Sequence, residues 1–260
     1  MPTREDVVST LRRAGCVFAE EESGLLIEAA ADDAELDALV ARRTGGEPLE
    51  QVVGWAAFCG LRLVVEPGVF VPRRRTEALA GEAVALARSA ARRHRPVVVD
   101  LCCGVGALAA AVADAIEDVS LWAVDVEPAA VRCARRNLGE RAVVLEGDLD
   151  APLPESLAGR VDVLMANVPY VPTDEIGLLP AEARLHEPRV TLDGGADGLR
   201  VLARMAAVAP RWLRPGGTVL CETSKRQAAA ALAVLGAAGL DARTLVDADL
   251  GATVVLGTRR

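Results

Sequence analysis

The chain has 260 residues, 52% of them hydrophobic and 25% charged, so it can bury the core of one large α/β domain with a small appendage. Its net charge of −8 argues against a generic nucleic-acid groove, and it lacks the long uncharged apolar run that predicts a membrane span. An N-terminus without an apolar signal region, six cysteines without a CxxC pair and only two histidines lead us to expect a cytoplasmic protein without a metal site.

The first part of the chain is expected to be helical. Over residues 1–50, Val7, Leu11 and later leucines recur at helical spacing, and glycines at 15 and 45–46 punctuate them. A region this short buries too little for a strong core of its own, so we expect it to pack on the main domain or on a partner. Residues 51–75 predict a β-hairpin linker, because two apolar runs flank Cys59-Gly60.

The remainder, residues 76–260, is expected to be the main domain. Its first helix is predicted to begin with Thr76 as N-cap and to end near residue 93. Further predicted helices cover residues 107–115, 128–138, 198–213 and 224–238, and predicted strands cover 97–99, 119–124, 142–146, 161–166, 218–222, 242–246 and 252–257. This alternation, with Val-rich strands, predicts a mainly parallel sheet with helices on both faces.

Three turns at the ends of predicted strands indicate a nucleotide site. Residues 100–106 carry two glycines between a strand and a helix, where the backbone and the free N–H groups of the helix can approach a ligand. Asp125 ends the next strand, at the position that holds a ribose diol in nucleotide-binding folds, and Asp148 follows the third strand, where an acid can accept from an adenine amine. No P-loop lysine follows the first turn, so S-adenosylmethionine and a dinucleotide both remain open.

The tetrapeptide Asn167-Val168-Pro169-Tyr170 follows an apolar strand and contains the only tyrosine of the chain. The carboxyl ends of parallel strands are where such sheets bind ligands. The Asn167 side-chain oxygen and the next backbone carbonyl are two acceptors side by side, which suit a planar NH2 group. The tetrapeptide therefore predicts a site for an amide or for the exocyclic amine of a base.

With this tetrapeptide, the chain resembles the class I S-adenosylmethionine methyltransferases, and more narrowly the HemK/PrmC group of protein-(glutamine-N5) methyltransferases that modify peptide chain release factors. The resemblance also rests on residues 46–49, Gly54, 67–73 with Thr76-Glu77, 178–180, 186–189, 192–199, and 215–217 with Glu222. Three departures make the chain a divergent relative. Val168 replaces a proline, Cys102 replaces the first glycine of the turn, and Arg74-Arg75 replace Pro-Glu.

The resemblance implies a Rossmann-like α/β class I methyltransferase fold with a mainly parallel seven-stranded sheet, and S-adenosyl-L-methionine as cofactor. The implied catalytic residues are Asn167, Val168, Pro169 and Tyr170. The implied cofactor-binding residues are Phe70, Asp100, Cys102, Cys103, Gly104, Val105, Gly106, Asp125, Val126, Asp148, Leu149 and Asn167. The implied substrate-binding residues are Arg73, Thr76, Glu77, Asn167, Tyr170 and His186.

The leading hypothesis is methylation of a glutamine side chain in a protein acceptor, a release factor or another protein, by a monomer without a dedicated nucleic-acid module. Asn167 and the Val168 carbonyl would accept the two amide N–H groups, and Tyr170 would stack on the amide. Methylation of a nucleobase or a small-molecule amine or amide stays open, as does a cofactor-binding regulatory protein that does not turn over. We expect Cys102 and Cys103 to be unreactive, residues 73–75 to face an acidic part of the acceptor, and His186 to hold its loop rather than act as a base.

Overall fold

The computed structural model describes residues 3–260, and their first part is helical as predicted. It contains α1 (Arg4–Arg13), α2 (Ala19–Ala29), α3 (Asp33–Thr44) and α4 (Leu49–Val53). Thr3 and Asp6 form a capping box at the start of α1, and the Asp32 side chain accepts from the Glu35 N–H at the start of α3. The apolar faces of these helices meet in a small core of their own, which contains Val7, Leu11, Ala19, Leu26, Leu36, Leu39 and Val52. The division of the chain into three parts stays a prediction.

The predicted hairpin follows, with β1 (Trp55–Phe58) paired antiparallel to β2 (Leu61–Val64). Its two-residue turn places Cys59 and Gly60 at positive φ, 48° and 77°, as a tight hairpin with the twist of its strands requires. Asn137, in the helix Pro128–Leu138 of the main domain, holds the hairpin in place, because its amide donates to the Val64 carbonyl and accepts from the Val64 N–H. The linker is therefore a fixed element and not a loose connection.

The main sheet has seven strands in the described part of the chain: β3 (Val97–Leu101), β4 (Ser120–Asp125), β5 (Val143–Glu146), β6 (Val161–Ala166), β7 (Leu213–Thr223), β8 (Leu240–Asp247) and β9 (Ala252–Arg259). The helices between and around them are α5 (Glu77–Ala91), α6 (Ala107–Ala115), α7 (Pro128–Leu138), α8 (Ala181–His186), α9 (Arg200–Trp212) and α10 (Ala228–Ala237). The strand order is β5-β4-β3-β6-β7-β9-β8, and β9 alone runs in the direction opposite to the other six strands. The predicted fold class is confirmed.

The order of the strands determines where a ligand can bind. The chain moves from β3 outward to β4 and β5 and then returns to place β6 on the other side of β3. Open parallel sheets bind their ligands at such a reversal, outside the carboxyl ends of the strands. The turns after β3, β4, β5 and β6 all open onto this crevice.

Helices cover both faces of the sheet. Leu79 of α5, Ala109 of α6 and Val131 of α7 belong to one buried cluster, whereas Leu202 of α9 and Leu235 of α10 belong to the other. Strand β6 lies between them and is buried along its whole length. Burial on both faces explains why these strands are continuously apolar rather than alternating. Among residues 3–260, no helix combines the length and apolar character that crossing a bilayer needs.

Two element boundaries differ from the predictions by four residues or more. Strand β7 begins at Leu213 rather than 218, because residues 213–217 continue the strand beside β6 across a register irregularity at Val161/Val163. Helix α10 begins at Ala228 rather than 224, because Ser224 to Gln227 form a turn closed by the Gln227 N–H and the Ser224 carbonyl. The first of these changes keeps the sheet continuous, and the second orients Gln227 toward the candidate site.

Candidate functional site

A cavity of about 510 Å³ lies at the carboxyl ends of the strands, where the strand order reverses. This volume is in the range of sites for cofactor-sized ligands. Most of the predicted site residues line it, namely Phe70, Arg73, Cys102, Gly104, Asp125, Val126, Asp148, Leu149, Asn167, Val168, Pro169 and Tyr170. Five predicted cofactor or substrate residues around the same turns do not line it: Asp100, Cys103, Val105, Gly106 and Thr76.

The turn after β3 exposes backbone to the cavity. Cys102 and Gly104 both have a φ of 55°, and Gly106 has a φ of 79°. A side chain in place of Gly106 would stand 3.0 Å from Leu138 of α7, so this glycine serves the packing of two helices and not the ligand. Cys102 adopts the left-handed conformation without being a glycine, which costs about 1 kcal/mol. The turn therefore keeps the shape of a glycine-rich loop although its first glycine is absent.

Asp125 connects the turns after β3 and β4. Its Oδ2 accepts the Gly104 N–H at 2.8 Å and its Oδ1 accepts the Glu127 N–H at 2.9 Å. Burial raises the pKa of Asp125, and these backbone donors oppose the rise. Each carboxylate oxygen keeps a second lone pair, so the group can still accept from a ligand in the cavity.

Two predicted cofactor residues are buried behind the cavity instead of lining it. Asp100 is 0% exposed, and its Oδ2 accepts the Ala109 N–H within the first turn of α6. Cys103 is buried as well. Burial raises the pKa values of Asp100, Cys102 and Cys103 well above their ordinary values. Asp100 and Cys103 thus support the turn from behind the cavity, and their direct contact with the cofactor stays a prediction.

Asp148 lines the cavity at the end of β5 and makes an ion pair with Arg204 of α9 at 2.8 Å. The neighbouring Leu149 has a φ of 50° and a side chain 5% exposed. Gly147 allows this tight turn, because a Cβ there would lie 2.8 Å from Pro152. The turn thus presents one carboxylate and one apolar side chain to the cavity.

Asn167 has a donor side that is occupied and an acceptor side that is free. Its Nδ2 donates to the Thr76 hydroxyl at 3.3 Å, whereas its Oδ1 is buried and has no partner within residues 3–260. Thr76 stands at the N-cap position of α5, but its side chain makes no capping hydrogen bond. Thr76 is therefore the N-cap residue of α5, as predicted, but its hydroxyl accepts from Asn167 instead of capping the helix.

Tyr170 is hydrogen-bonded both through its hydroxyl and through its backbone carbonyl. Its hydroxyl donates to Glu222 Oε1 at 3.0 Å and accepts from Arg75 Nη2 at 2.5 Å, and Arg75 Nε donates to the same carboxylate oxygen at 2.9 Å. Its backbone carbonyl accepts from the Gln227 side chain at 2.9 Å. Burial raises the pKa of the Tyr170 hydroxyl, and the nearby Glu222 adds to the rise. The ring therefore has a fixed position and a proton that stays on its oxygen.

The segment after the tetrapeptide folds back onto it. The Val171 N–H donates to the Leu192 carbonyl, and the Gly194 N–H donates to the Val171 carbonyl. A Cβ on Gly198, which has a φ of 76°, would lie 2.2 Å from the Tyr170 carbonyl and from Gln227 Nε2. Residues 192–199, the strongest part of the resemblance, thus form the loop that packs directly against the tetrapeptide.

The three arginines at 73–75 do not form one free cationic patch. Arg73 pairs with Glu187 at 2.6 Å and lies over the Phe70 ring, and Arg75 pairs with Glu222. Of these three arginines, only Arg74 makes no ion pair with another residue of the described chain. Arg73 and Arg75 therefore line the cavity while paired with buried carboxylates, and the expectation that the cluster faces an acidic part of the acceptor stays a prediction.

Two predicted substrate residues lie away from the cavity. Glu77 accepts the Cys59 N–H of the hairpin turn at 2.9 Å. His186 ends α8, and its carbonyl accepts from the buried Gln51 side chain at 3.3 Å. Neither side chain lines the cavity. Their positions match a structural use at the hairpin and at α8, so a direct contact with a substrate is not supported.

Glu222 and Gln227 are absent from the predicted site residues although they hold Tyr170. Both are buried polar side chains, 1% and 7% exposed. Glu222 had one usable signal, since it is an acid near the carboxyl end of an apolar strand, as Asp125 is. Gln227 had none, because a glutamine before an alanine-rich helix is unremarkable. Within the described residues, no group of three or more His, Cys, Asp or Glu side chains is arranged to hold a metal ion.

Comparison with known proteins gives consistent matches. The family model described as "Methyltransferase small domain" matches residues 60–195. A release factor glutamine methyltransferase of Streptomyces coelicolor is 40% identical over 200 residues, which cover 75% of this chain and 70% of that protein. A 4-amino-L-phenylalanine/4-methylamino-L-phenylalanine methyltransferase of Streptomyces pristinaespiralis is 38% identical over 205 residues, which cover 77% of this chain and 69% of that protein.

A solved structure shares the fold. The 16S rRNA N2 G1207 methyltransferase of T. Thermophilus, in complex with AdoMet and guanosine, superposes with a TM-score of 0.53 at 22% identity. The match covers 79% of this chain and 50% of that chain. At this identity the likeness concerns the arrangement of strands and helices alone.

Proposed function

This chain belongs to the family of release factor glutamine methyltransferases, and on that premise we propose that it methylates the side-chain amide nitrogen of a glutamine in a protein. It is a methyltransferase, and S-adenosylmethionine is its methyl donor, so the predicted family and cofactor are confirmed. The observation that carries the proposal is the Asn167 Oδ1, a buried acceptor without a partner in a residue that lines the cavity.

The cavity has a donor and acceptor set that suits the cofactor. Asp125 offers a carboxylate for a ribose diol, Asp148 offers one for an adenine amine, and the positive-φ turn at Gly104 brings backbone close. Phe70, Val126 and Leu149 add apolar surface on the same lining. We propose that these residues hold S-adenosylmethionine, which supplies a methyl group on an electrophilic sulfonium when bound.

Asn167 and Val168 would position the acceptor nitrogen. The free Oδ1 of Asn167 accepts one amide N–H, and the Val168 carbonyl, which has no hydrogen bond among residues 3–260, accepts the other. A carboxamide nitrogen is a poor nucleophile, because its lone pair is delocalised. Two aimed acceptors stabilise the positive charge that develops on the nitrogen as its lone pair forms the new N–C bond.

Tyr170 would pack on the planar amide and exclude water, and it would not act as a base. Its hydroxyl is bound by Glu222 and Arg75, and burial keeps its pKa above the ordinary value. The nitrogen loses its proton only after the methyl group has arrived, when that proton is acidic enough to pass to water. The proposed mechanism therefore needs positioning and electrostatics from this chain but no dedicated base.

A second candidate is an aromatic amine on a small molecule. The relative from Streptomyces pristinaespiralis, at 38% identity, is named for 4-amino-L-phenylalanine, whose NH2 group is planar like that of an amide. Asn167 and Val168 would serve such an acceptor in the same way. A nucleobase acceptor has no comparable support, and the net charge of −8 speaks against it.

The test is methyl transfer by the purified chain. The enzyme is incubated with S-adenosylmethionine labelled in its methyl group and with three acceptors: a Gly-Gly-Gln peptide, 4-amino-L-phenylalanine and a single-stranded oligonucleotide. We expect transfer to the glutamine nitrogen, located by mass spectrometry, and transfer at least about a hundredfold slower with Asn167→Ala. Exclusive labelling of the aromatic amine would move the assignment to the second candidate. The acceptor protein, a monomeric state and a cytoplasmic location remain parts of this proposal.

A further inference from the structure

A second cavity, of about 420 Å³, adjoins the candidate site. Arg75 and Tyr170 line both cavities, so these two side chains form a shared wall. The remaining wall comes from Thr223 at the end of β7, from Ser224 and Lys225 after it, and from the facing ends of β8 and β9 with the turn between them. The second cavity therefore adjoins the first at Tyr170, three residues after Asn167.

Two of the lining side chains are cationic, Arg75 and Lys225. Lys225 is the only lysine of the chain, and it is exposed without a hydrogen bond or ion pair among residues 3–260. Arg75 uses Nε for Glu222 and Nη2 for Tyr170, which leaves Nη1 without a hydrogen bond in the described chain. The one carboxylate that lines the cavity in the described chain is Asp247, and its Oδ1 accepts the Leu250 N–H.

A buried hydroxyl adds a free hydrogen-bonding group. Thr223 is 5% exposed, and its Oγ1 has no partner within residues 3–260. Buried hydroxyls in folded proteins are normally hydrogen-bonded, so an unpaired one beside cationic side chains is a donor available to a ligand.

We propose that this second cavity binds a carboxylate of the methyl acceptor. Lys225 and the free Arg75 nitrogen supply charged donors, and the Thr223 hydroxyl supplies a neutral one. The inference rests on the proposed function, because it assigns a part of the acceptor whose nitrogen lies at Asn167. An acidic residue next to the target glutamine and the α-carboxylate of a free amino acid are two sources of the same chemistry.

The first experiment compares acceptors that differ only in this charge. The pairs are acetyl-Gly-Gln-Asp-amide against acetyl-Gly-Gln-Asn-amide, acetyl-Asp-Gly-Gln-amide against acetyl-Asn-Gly-Gln-amide, and 4-amino-L-phenylalanine against its carboxamide. We expect the carboxylate form of at least one pair to have a kcat/KM about tenfold higher, mainly through KM, as for a charge-assisted contact. Lys225→Gln should remove the preference and Lys225→Arg should retain it. The pair that shows the preference identifies the source of the carboxylate.

A second readout needs no turnover. Because Lys225 is the only lysine, an amine-acylating reagent marks it and the N-terminal amine, and mass spectrometry separates the two. The probe is N-acetyl-4-amino-L-phenylalanine, with its carboxamide as control. We expect the carboxylate probe to slow acylation of Lys225 several-fold relative to the N-terminal amine, and the carboxamide to have no effect.

The outcomes separate this inference from the proposed function. Equal kcat/KM within every pair, together with equal acylation with both probes, overturns the carboxylate site. If Asn167→Ala abolishes transfer while Lys225→Gln changes neither KM nor the acceptor preference, the function stands and the site is wrong. Protection of Lys225 without transfer to any acceptor supports the site and counts against the proposed function.

Discussion

The Asn167 amide shows how one side chain can serve the fold and the reaction at once. Its nitrogen donates to the Thr76 hydroxyl, and this bond fixes which side of the amide faces the cavity. Its oxygen stays buried without a partner, and this unpaired acceptor lowers the stability of the fold as long as no substrate is bound. A buried acceptor of this kind is what a substrate NH2 group needs.

The first prediction concerns this side chain. Asn167→Ala should bind S-adenosylmethionine nearly normally but transfer methyl at least about a hundredfold more slowly, the scale of losing one aimed contact at a transition state. Asn167→Asp should lose less, because a carboxylate still accepts hydrogen bonds. The measurement is single-turnover transfer at saturating cofactor. A fully active Asn167→Ala enzyme would remove the amide-acceptor mechanism.

Val168→Pro should leave turnover close to that of the wild type. The backbone N–H of Val168 donates only to the Cys221 sulfur, a weak acceptor, and the carbonyl that faces the acceptor remains. The expected order of turnover is wild type about equal to Val168→Pro, then Asn167→Asp, then Asn167→Ala. A Val168→Pro enzyme as slow as Asn167→Ala would show that this backbone does not tolerate the proline of the family pattern.

Asp125→Ala should weaken S-adenosylmethionine binding while the fold survives. Losing a charged acceptor for the ribose diol costs about 2–3 kcal/mol, which is roughly 30- to 150-fold in Kd. Calorimetry measures the affinity, and circular dichroism checks the fold, because Asp125 also holds the Gly104 and Glu127 N–H groups. Asp118→Ala, at an acid whose side chain is 78% exposed, is the control. An unchanged Kd for Asp125→Ala would place the ribose elsewhere.

Cys102 should be protected by the cofactor, and Cys103 should be unreactive with or without it. Cys102 lines the cavity and Cys103 is buried behind it, and burial raises the pKa of both thiols, so thiolate is scarce at neutral pH. Maleimide labelling followed by mass spectrometry measures each rate. The exposed Cys59, with its pKa raised to about 11, is an internal reference that cofactor should not affect. Equal labelling of Cys102 with and without cofactor would contradict its placement.

At the scale of elements, the sheet and its turns could be predicted from the sequence. The side-chain contacts between segments far apart in the sequence could not. Strands β3 to β6 carry a local apolar pattern, and the turns that end them carry acids and glycines, so both are visible in the sequence. The contacts Arg73–Glu187 and Tyr170–Glu222 join residues 114 and 52 positions apart. No local pattern encodes such pairs, so the pairing of Arg73 and Arg75 with buried carboxylates could not be predicted.

The loop of residues 192–199 gives a pH prediction. The pKa of Asp193 is lowered most by the hydrogen bond from the Thr173 hydroxyl and next by the hydrogen bond from the Gly195 N–H. A carboxyl with a lowered folded-state pKa contributes stability above its unfolded pKa and loses it as the pH falls through the folded value. Asp193→Asn keeps an acceptor but removes the charge. The Tm gap between wild type and Asp193→Asn should therefore be largest near neutral pH and close below about pH 4. A gap independent of pH would show that the charge contributes nothing.

At the scale of the whole molecule, polar side chains connect the N-terminal helices to the cavity. Arg43 of α3 pairs with Glu22 of α2 and with Glu182 of α8, and Glu182 lines the cavity. Gln51 of α4 is 3% exposed and donates to the carbonyls of Val69 and His186. The N-terminal region therefore contacts α8, the short helix that forms one wall of the cavity.

Gln51→Met should destabilise the chain by about 1–3 kcal/mol, because it keeps the volume of the side chain but leaves buried carbonyls and the Gly68 N–H without their partner. Urea unfolding measures the free energy. Glu50→Met, one residue earlier and half-buried, is the control and should have a much smaller effect. Equal stability of Gln51→Met and wild type would mean that this buried amide does not link the two regions.

The position of Tyr170 has a consequence for the entropy of binding. Its ring is fastened at the hydroxyl by Glu222 and Arg75 and at the backbone by Gln227, so its rotamer is chosen when the chain folds. Little side-chain freedom on this wall is then left to lose when an acceptor arrives. The ordering cost of forming the complex falls on the acceptor, and a rigid acceptor gains more from this site than a flexible one of the same chemistry.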